Sequence, residues 1–336
     1  MSEKKKRKAI CLLSGGLDSR LAVKMLQEQG IEIIALNFVT PFCNCTAKSS
    51  CKAEARKASE EFGIELKVVP LFEEFMEVVK YPKYGYGSGM NPCLDCRILM
   101  FKMAGEYMEK MGASFIATGE VLGERPMSQR LDAIRIIERD SGLEGLIVRP
   151  LSAQLFEPSI PEREGWIDRE QLLAISGRSR KPQMALAEEL DMKDYPCPAG
   201  GCLLTDKHFA DKLRRRLAKQ ENPDRNDILV LKVGRHFEGP SGAQIIVGRN
   251  EAENERLEQL KKETDWEVAA VDWQGPTTLV RGPRVGEGDL ESAARMTAGY
   301  GQGREAASVD VSCRKGDGEE MSLRVSPEQP VAVGGR

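Results

Sequence analysis

The chain has 336 residues, 41% of them hydrophobic and 30% charged, with a net charge of −3. The length admits two or three domains with proper cores, and the near-neutral balance excludes a globally basic nucleic-acid binder, so any such surface must be local. Nine cysteines, an odd number, and only two histidines argue for a reducing cytoplasm, against a disulfide framework, and against a His-rich zinc site or a Ser-His-Asp triad.

No apolar run reaches the length of a membrane span, and the basic run at residues 4–8 is expected to be a solvated leader rather than a signal peptide. The apolar run at 9–13 then leads into Ser14-Gly15-Gly16-Leu17-Asp18-Ser19, and a helical pattern follows with Leu21, Ala22, Met25 and Leu26 on one face. A Gly/Ser loop between a buried strand and a helix N-terminus points backbone N–H groups and the helix dipole at one spot, which suits phosphate. Asp18 can hold magnesium there. The loop lacks the Lys-Ser/Thr ending of a Walker P-loop, so a kinase or GTPase fits badly.

Further strands are expected at 33–38, 66–69 and 115–118, and helices near 19–29, 52–62 and 97–111. The alternation predicts an α/β fold with a doubly wound parallel sheet and ligands at the carboxyl ends of its strands. The Tyr/Gly-rich stretch at 81–91 reads either as a lid or as a disordered connector. Helical pieces are expected at 169–175 and 182–190, separated by a basic loop at 177–181. A helix at 207–219 carries Lys212, Arg214, Arg215, Arg216 and Lys219 around an apolar stripe. Those charges are either an RNA grip or a solvated face. Short strands are then expected at 228–233, 243–247, 268–271 and 278–280, with a helix at 251–262, a domain boundary near 222–227 and a loosely ordered tail after Gly301.

Cys93 and Cys96 form a CxxC just before a helix, where the dipole favours thiolate chemistry or metal ligation. Such a pair reads as a redox couple, half a zinc site or part of an iron–sulfur cluster. Cys197 and Cys202 compete for a third position. Three cysteines can hold a 4Fe–4S cluster with one iron open, whereas structural zinc requires a fourth ligand. Cys43, Cys45 and Cys51 could hold zinc, relay sulfur as persulfides or be inert. Cys11 is expected in the core, and Cys313 away from any chemistry.

Residues 14–19 resemble the SGGxDS loop of the PP-loop ATP pyrophosphatases, which split ATP to AMP and pyrophosphate on an adenine nucleotide alpha hydrolase-like fold. Together with Asn91-Pro92-Cys93-x-x-Cys96, Ala117-Thr118-Gly119 and Gly201-Cys202-Leu203, the first two-hundred-odd residues look like the tRNA-thiolation branch of that family. Cys96 and Cys202 fall on the two reactive positions of tRNA 2-thiouridylases. Cys93 resembles the cluster-dependent thiolases, including archaeal 4-thiouridine synthetases. The resemblance implies ATP and Mg2+ on Ser14, Gly15, Gly16, Leu17, Asp18 and Ser19, with the nucleoside near Leu36, Phe38 and Gly119. It implies a 4Fe–4S cluster on Cys93, Cys96 and Cys202, whose open iron carries the sulfur, and it prefers Cys202 to Cys197. Asp18, Cys96 and Cys202 would be catalytic. The sulfur donor would be a cysteine desulfurase or inorganic sulfide. A THUMP domain, typical of larger 4-thiouridine synthetases, has no room before residue 9.

Residues 228–315 resemble the NFACT-R domain, a small RNA-binding module of ribosome quality-control factors, although no histidine near Trp273 matches His236-Phe237. Arg249, Arg256, Arg281 and Arg284 suit phosphate contact. The alternative is a domain that packs or forms a homodimer, with Trp266 and Trp273 in its core. The expected organisation is a catalytic domain at 1–205, a basic helix at 206–226 and a smaller α+β domain at 227–336. The expected activity is cytoplasmic, ATP-dependent thiolation of a tRNA base, with Lys212, Arg214, Arg215, Arg216 and Arg249 on the RNA. A PP-loop enzyme acting on a small molecule and a non-catalytic RNA-binding protein are the rival readings.

Overall fold

The computed structural model describes residues 7–43, 50–192, 195–196, 201–316, 318–330 and 332. The chain divides into two compact units, Met1–Thr205 and Asp206–Arg336. Residues 222–227, where the sequence suggests a break, lie inside the second unit.

The first unit runs β1 (Lys8–Leu12), α1 (Leu17–Glu28), β2 (Glu32–Val39), α2 (Cys51–Glu61), β3 (Glu65–Pro70), α3 (Glu73–Lys80), α4 (Cys93–Lys110), β4 (Phe115–Thr118), α5 (Leu131–Ser141), β5 (Ile147–Val148), α6 (Ile160–Arg163) and α7 (Lys181–Glu189). Its strands form one parallel sheet of order β3-β2-β1-β4-β5. β1 is central, and Ala9, Ile10 and Cys11 are fully buried, because a parallel strand covered on both faces reads as an unbroken apolar run. The chain leaves β1 toward β2 on one side and returns at β4 on the other. The strand order therefore reverses between β1 and β4, opening a crevice at their carboxyl ends. α1 covers the sheet with Leu17, Leu21, Ala22, Met25 and Leu26. The helix expected at 169–175 is a 3₁₀ turn, Arg169–Gln171. Its Leu172 instead packs as extended chain into the core.

The second unit runs α8 (Lys207–Lys219), α9 (Arg225–Val230), β6 (Arg235–Glu238), β7 (Gln244–Val247), α10 (Glu251–Leu260), β8 (Trp266–Ala270), β9 (Thr278–Arg281), α11 (Glu287–Tyr300), β10 (Val309–Lys315) and β11 (Glu319–Val325). Its sheet, of order β11-β10-β8-β9-β7-β6, is antiparallel throughout. The strand expected at 228–233 is helix α9. A capping box of Asp224 and Asp227 starts it, and reciprocal capping bonds favour helix over an apolar strand pattern. The tail expected to be loose holds β10 and β11. Val309, Val311 and Cys313 point inward while Asp310 and Arg314 face out, so a period of two was present beneath the charge.

Candidate nucleotide and cysteine site

The six-residue loop joins β1 to α1 at that crevice. Gly15 has φ +82°, and a Cβ there would lie 2.5 Å from the Glu54 carbonyl carbon, so only glycine lets the loop pass α2. Ser19 Oγ donates to the Gly16 carbonyl at 2.9 Å and lies 3.2 Å from Ser14 Oγ. Gly119 follows β4 and abuts the backbone of Asp18 and Ser19. The buried Asn37 side chain donates to the Leu13 carbonyl at 2.8 Å, tying the end of β2 to the entry of the loop. Leu36 is buried beside Leu12, whereas Phe38 is partly exposed.

Asp18 is half-buried, and its Oδ1 is buried with no hydrogen-bond partner. Burial raises its pKa, opposed mainly by Arg180 and then Arg125. Glu124 is raised by burial and by Asp18. A carboxylate that raises its neighbour and has an orphaned oxygen of its own fits a divalent cation such as Mg2+.

The cysteines assemble beside this loop. Cys93 opens α4 and Cys96 lies one turn on. Asp95 accepts from the backbone N–H groups of Lys83 (3.1 Å) and Tyr84 (3.0 Å). Tyr84 and Tyr86 donate to Asp140 and to the Val79 carbonyl, so the Tyr/Gly stretch is a pinned loop. Residues 201–205 fold back onto it. Met90 N donates to the Leu204 carbonyl at 2.8 Å and Ser88 Oγ to the Thr205 carbonyl at 3.2 Å. Leu203 N donates to the Phe42 carbonyl, and Cys202 forms a β-bridge with Cys43. The Cys43 and Cys51 sulfurs are 3.1 Å apart. Cys45 and Cys197 lie outside the described residues. Cys11, Cys51, Cys93, Cys96, Cys202 and Cys313 are free thiols.

Burial raises the Cys93 thiol, although Asn91 donates to its sulfur at 2.9 Å. Burial pushes Cys96 up to about 12, with Arg97 opposing and Cys202 and Cys93 adding to the rise. The helix N-terminus therefore does not by itself make these groups thiolates, because desolvation outweighs the dipole. Bound metal would, since coordination deprotonates a thiol outright. Among the described residues no three His, Cys, Asp or Glu side chains are gathered tightly enough for a single metal ion. Three thiols with no histidine among them are the donor type that a thiolate-held iron–sulfur cluster takes.

Arg97 is held in place by Glu120, which accepts from Arg97 Nη2 at 2.6 Å and from Arg149 Nε at 3.1 Å. Burial pushes Glu120 up, but the two arginines hold it below the usual carboxylate range. Asn37, Arg97, Glu120, Glu124, Arg125 and Arg180 were not singled out from sequence. The basic loop at 177–181 was visible, but without a partner.

In the second unit, Lys212, Arg215, Arg216 and Lys219 line a small cavity floored by His236 and Gln244. Arg216 pairs with Asp227 at 2.8 Å, Lys219 with Glu238 at 2.8 Å and Arg214 with Asp211 at 2.8 Å. Arg249 is clamped by Glu253. Burial lowers Lys212 to about 8. Arg281, expected on phosphate, is instead buried in ion pairs with Asp265 (2.6 Å) and Asp227 (3.1 Å). Trp266 is core, whereas Trp273 is 43% exposed. Cys11 is buried in the core of the first unit, as expected, and Cys313 is buried in that of the second.

Residues 5–154 match the family model described as "Thiamine biosynthesis protein (ThiI)". Residues 234–333 match "NFACT protein RNA binding domain". The tRNA-specific 2-thiouridylase MnmA of Proteus mirabilis is 26% identical over 241 residues, covering 66% of this chain and 60% of that protein. The enzyme of the same name from Sulfurimonas denitrificans is 36% identical over 120 residues, covering 34% of this chain and 35% of its own. The chain thus matches less than two thirds of these relatives' lengths. Among solved structures, the U34-tRNA thiolase NcsA from Methanococcus maripaludis with its [4Fe-4S] cluster is 19% identical, covers 67% of this chain and 71% of that one, and has a TM-score of 0.35. A 4-thiouridine synthetase–RNA complex with bound ATP is 23% identical, covers 55% and 53%, and has a TM-score of 0.35. Among the described residues no helix is long and apolar enough to cross a membrane.

Proposed function

We propose that the chain, whose segments match the ThiI and NFACT RNA-binding family models, is a PP-loop enzyme of the tRNA-thiolation family, a cytoplasmic, ATP-dependent tRNA sulfurtransferase. One relationship carries this reading: Arg125 acts on both Asp18 of the nucleotide loop and Cys93 of the cysteine set. This proximity supports placing the group that would hold ATP and the group that would deliver sulfur at one site.

The roles follow from the chemistry. The N–H groups of residues 14–19 and the start of α1 take the pyrophosphate portion of ATP. Asp18, with Glu124, holds Mg2+. The nucleoside lies toward Leu36, Phe38 and Gly119. A base carbonyl oxygen, with uridine the first choice, attacks the α-phosphate; the oxygen–phosphorus bond forms as pyrophosphate leaves. Sulfur then attacks the activated carbon and AMP departs with the former carbonyl oxygen. Cys93, Cys96 and Cys202 would hold a 4Fe–4S cluster, which when bound supplies a sulfur atom at its open iron. Arg97, fixed by Glu120, offsets the negative charge of these thiolates. Sulfur carried as a persulfide on Cys96 or Cys202 is the alternative chemistry. Sulfide would replenish the sulfur of a cluster, and a desulfurase, by handing over the outer sulfur of its own persulfide, that of a cysteine persulfide. The α8 cations and Arg249 would hold the RNA backbone.

Chromatography of products from ATP and tRNA tests the reading. AMP and pyrophosphate are expected, and Asp18→Ala should abolish them with the fold intact. ADP from the wild type would overturn it.

A further inference from the structure

Arg180 and Gln183 stand at the start of α7, beyond the segment that matches the PP-loop family model. Gln183 is fully buried with its amide toward Asp18, to which it makes no well-formed hydrogen bond. The Arg180 Nε is likewise buried and unpartnered, as is Asp18 Oδ1. Buried polar groups are normally satisfied, and each exception calls for an explanation. Here two side chains with unsatisfied atoms stand beside the Asp18 carboxylate, and Arg180 and Gln183 both lower its pKa.

The chain holds them there by specific bonds. Leu122 and Ser176 form a parallel β-bridge, and Gly177 N donates to the Leu122 carbonyl at 2.7 Å. Ser152 Oγ donates to the Ile175 carbonyl at 2.6 Å and accepts from Leu122 N at 3.0 Å. The basic loop is thus fastened to the segment after β4 that carries Glu124 and Arg125. α7 also packs against α1, the helix that follows the nucleotide loop. Charges on this wall alternate: Asp18 and Glu124 suit a divalent cation, and Arg180 and Arg125 suit anionic oxygens. A polyphosphate bearing a divalent cation has that pattern.

We propose that Arg180, supported by Gln183, is a polyphosphate-binding residue that closes the nucleotide site opposite residues 14–19. The guanidinium would take phosphate oxygens through its planar fork, and the Gln183 amide would accept or donate to the same ligand. The inference rests on the nucleotide reading above and adds a residue that the loop motif does not contain.

Calorimetric titration of the full-length chain with MgATP, AMP and inorganic pyrophosphate tests it. Arg180→Gln should weaken MgATP and pyrophosphate by about 10- to 100-fold, the loss expected for a charge-assisted hydrogen bond. AMP should lose much less. Arg180→Lys, which keeps the charge but not the fork, should recover part of the loss. Arg178→Gln, an exposed neighbour in the same loop, should bind like the wild type. Thermal melts of each variant verify the fold, and the Lys variant carries the test if the Gln variant does not fold. A wild type that binds MgATP, with Arg180 variants that bind it equally well, would overturn this inference alone. A wild type that binds no MgATP would overturn the nucleotide reading and this inference with it.

Discussion

A Cβ at Gly119 would lie 2.4 Å from both the carbonyl carbon and the carbonyl oxygen of Asp18. The end of β4 is thus pressed against the backbone that starts α1, and the nucleotide loop is shaped from both sides of the strand-order reversal. Gly119→Ala cannot be absorbed by a flexible side chain, because the obstacle is main chain. The variant should lose about 1–3 kcal/mol of stability in urea melts, the usual cost of overpacking. It should also bind MgATP at least about 10-fold more weakly. Unchanged affinity would mean that the loop geometry is not set by this contact.

Glu120 is buried between Arg97 and Arg149, and Arg149 also pairs with Glu138. Glu120→Gln removes the charge that pairs with both arginines at once. The expected loss is about 3–5 kcal/mol, as when one partner of a buried pair is removed. Arg97 should also be released from its place beside the cysteines. Denaturant melts give the first effect. Iron content of anaerobic protein gives the second, which should fall even where the fold survives.

Asp227 accepts from Lys262, Arg216 and Arg281. Burial pushes its carboxyl up, yet these cations hold it down at about 2. The folded value lies below the unfolded one of about 3.9. Its contribution is therefore fully present above pH ~4 and lost as the pH falls toward ~2. Melting midpoints followed from pH 5 to 2 should decline less steeply for Asp227→Asn, which starts lower.

Much of this was legible in the sequence, for identifiable reasons. The run at 9–13, Gly15 and Gly16, and the apolar face of α1 together announce strand, loop and helix. Cys93 and Cys96 announce themselves by spacing. What was hidden is long-range. Nothing local says that Glu120 lies between two arginines, or that Arg180 faces Asp18 across more than 160 residues. Arg281 read as an RNA contact because its buried partners, Asp227 and Asp265, are far away in sequence. α9 was mistaken for a strand because its apolar run outweighed the Asp224–Asp227 cap signal. β10 and β11 were hidden by their charges, although Val309, Val311 and Cys313 keep one face of β10 apolar.

The cysteine set makes a separate claim. Protein purified without oxygen should carry about four irons per chain if a cubane is held. Serine at Cys93, Cys96 or Cys202 should lower that content, and Cys313→Ser should not. Stoichiometric zinc without iron would defeat the cluster and leave the persulfide route.

The central claim, that ATP cleavage and sulfur insertion occur on one tRNA base, is tested most directly by nucleoside mass spectrometry of tRNA incubated anaerobically with the reconstituted chain, MgATP and sulfide. The account predicts a thionucleoside formed in equal amount to AMP, absent with Asp18→Ala and with Cys202→Ser. AMP released at the same rate without tRNA, with no thionucleoside formed, would contradict it.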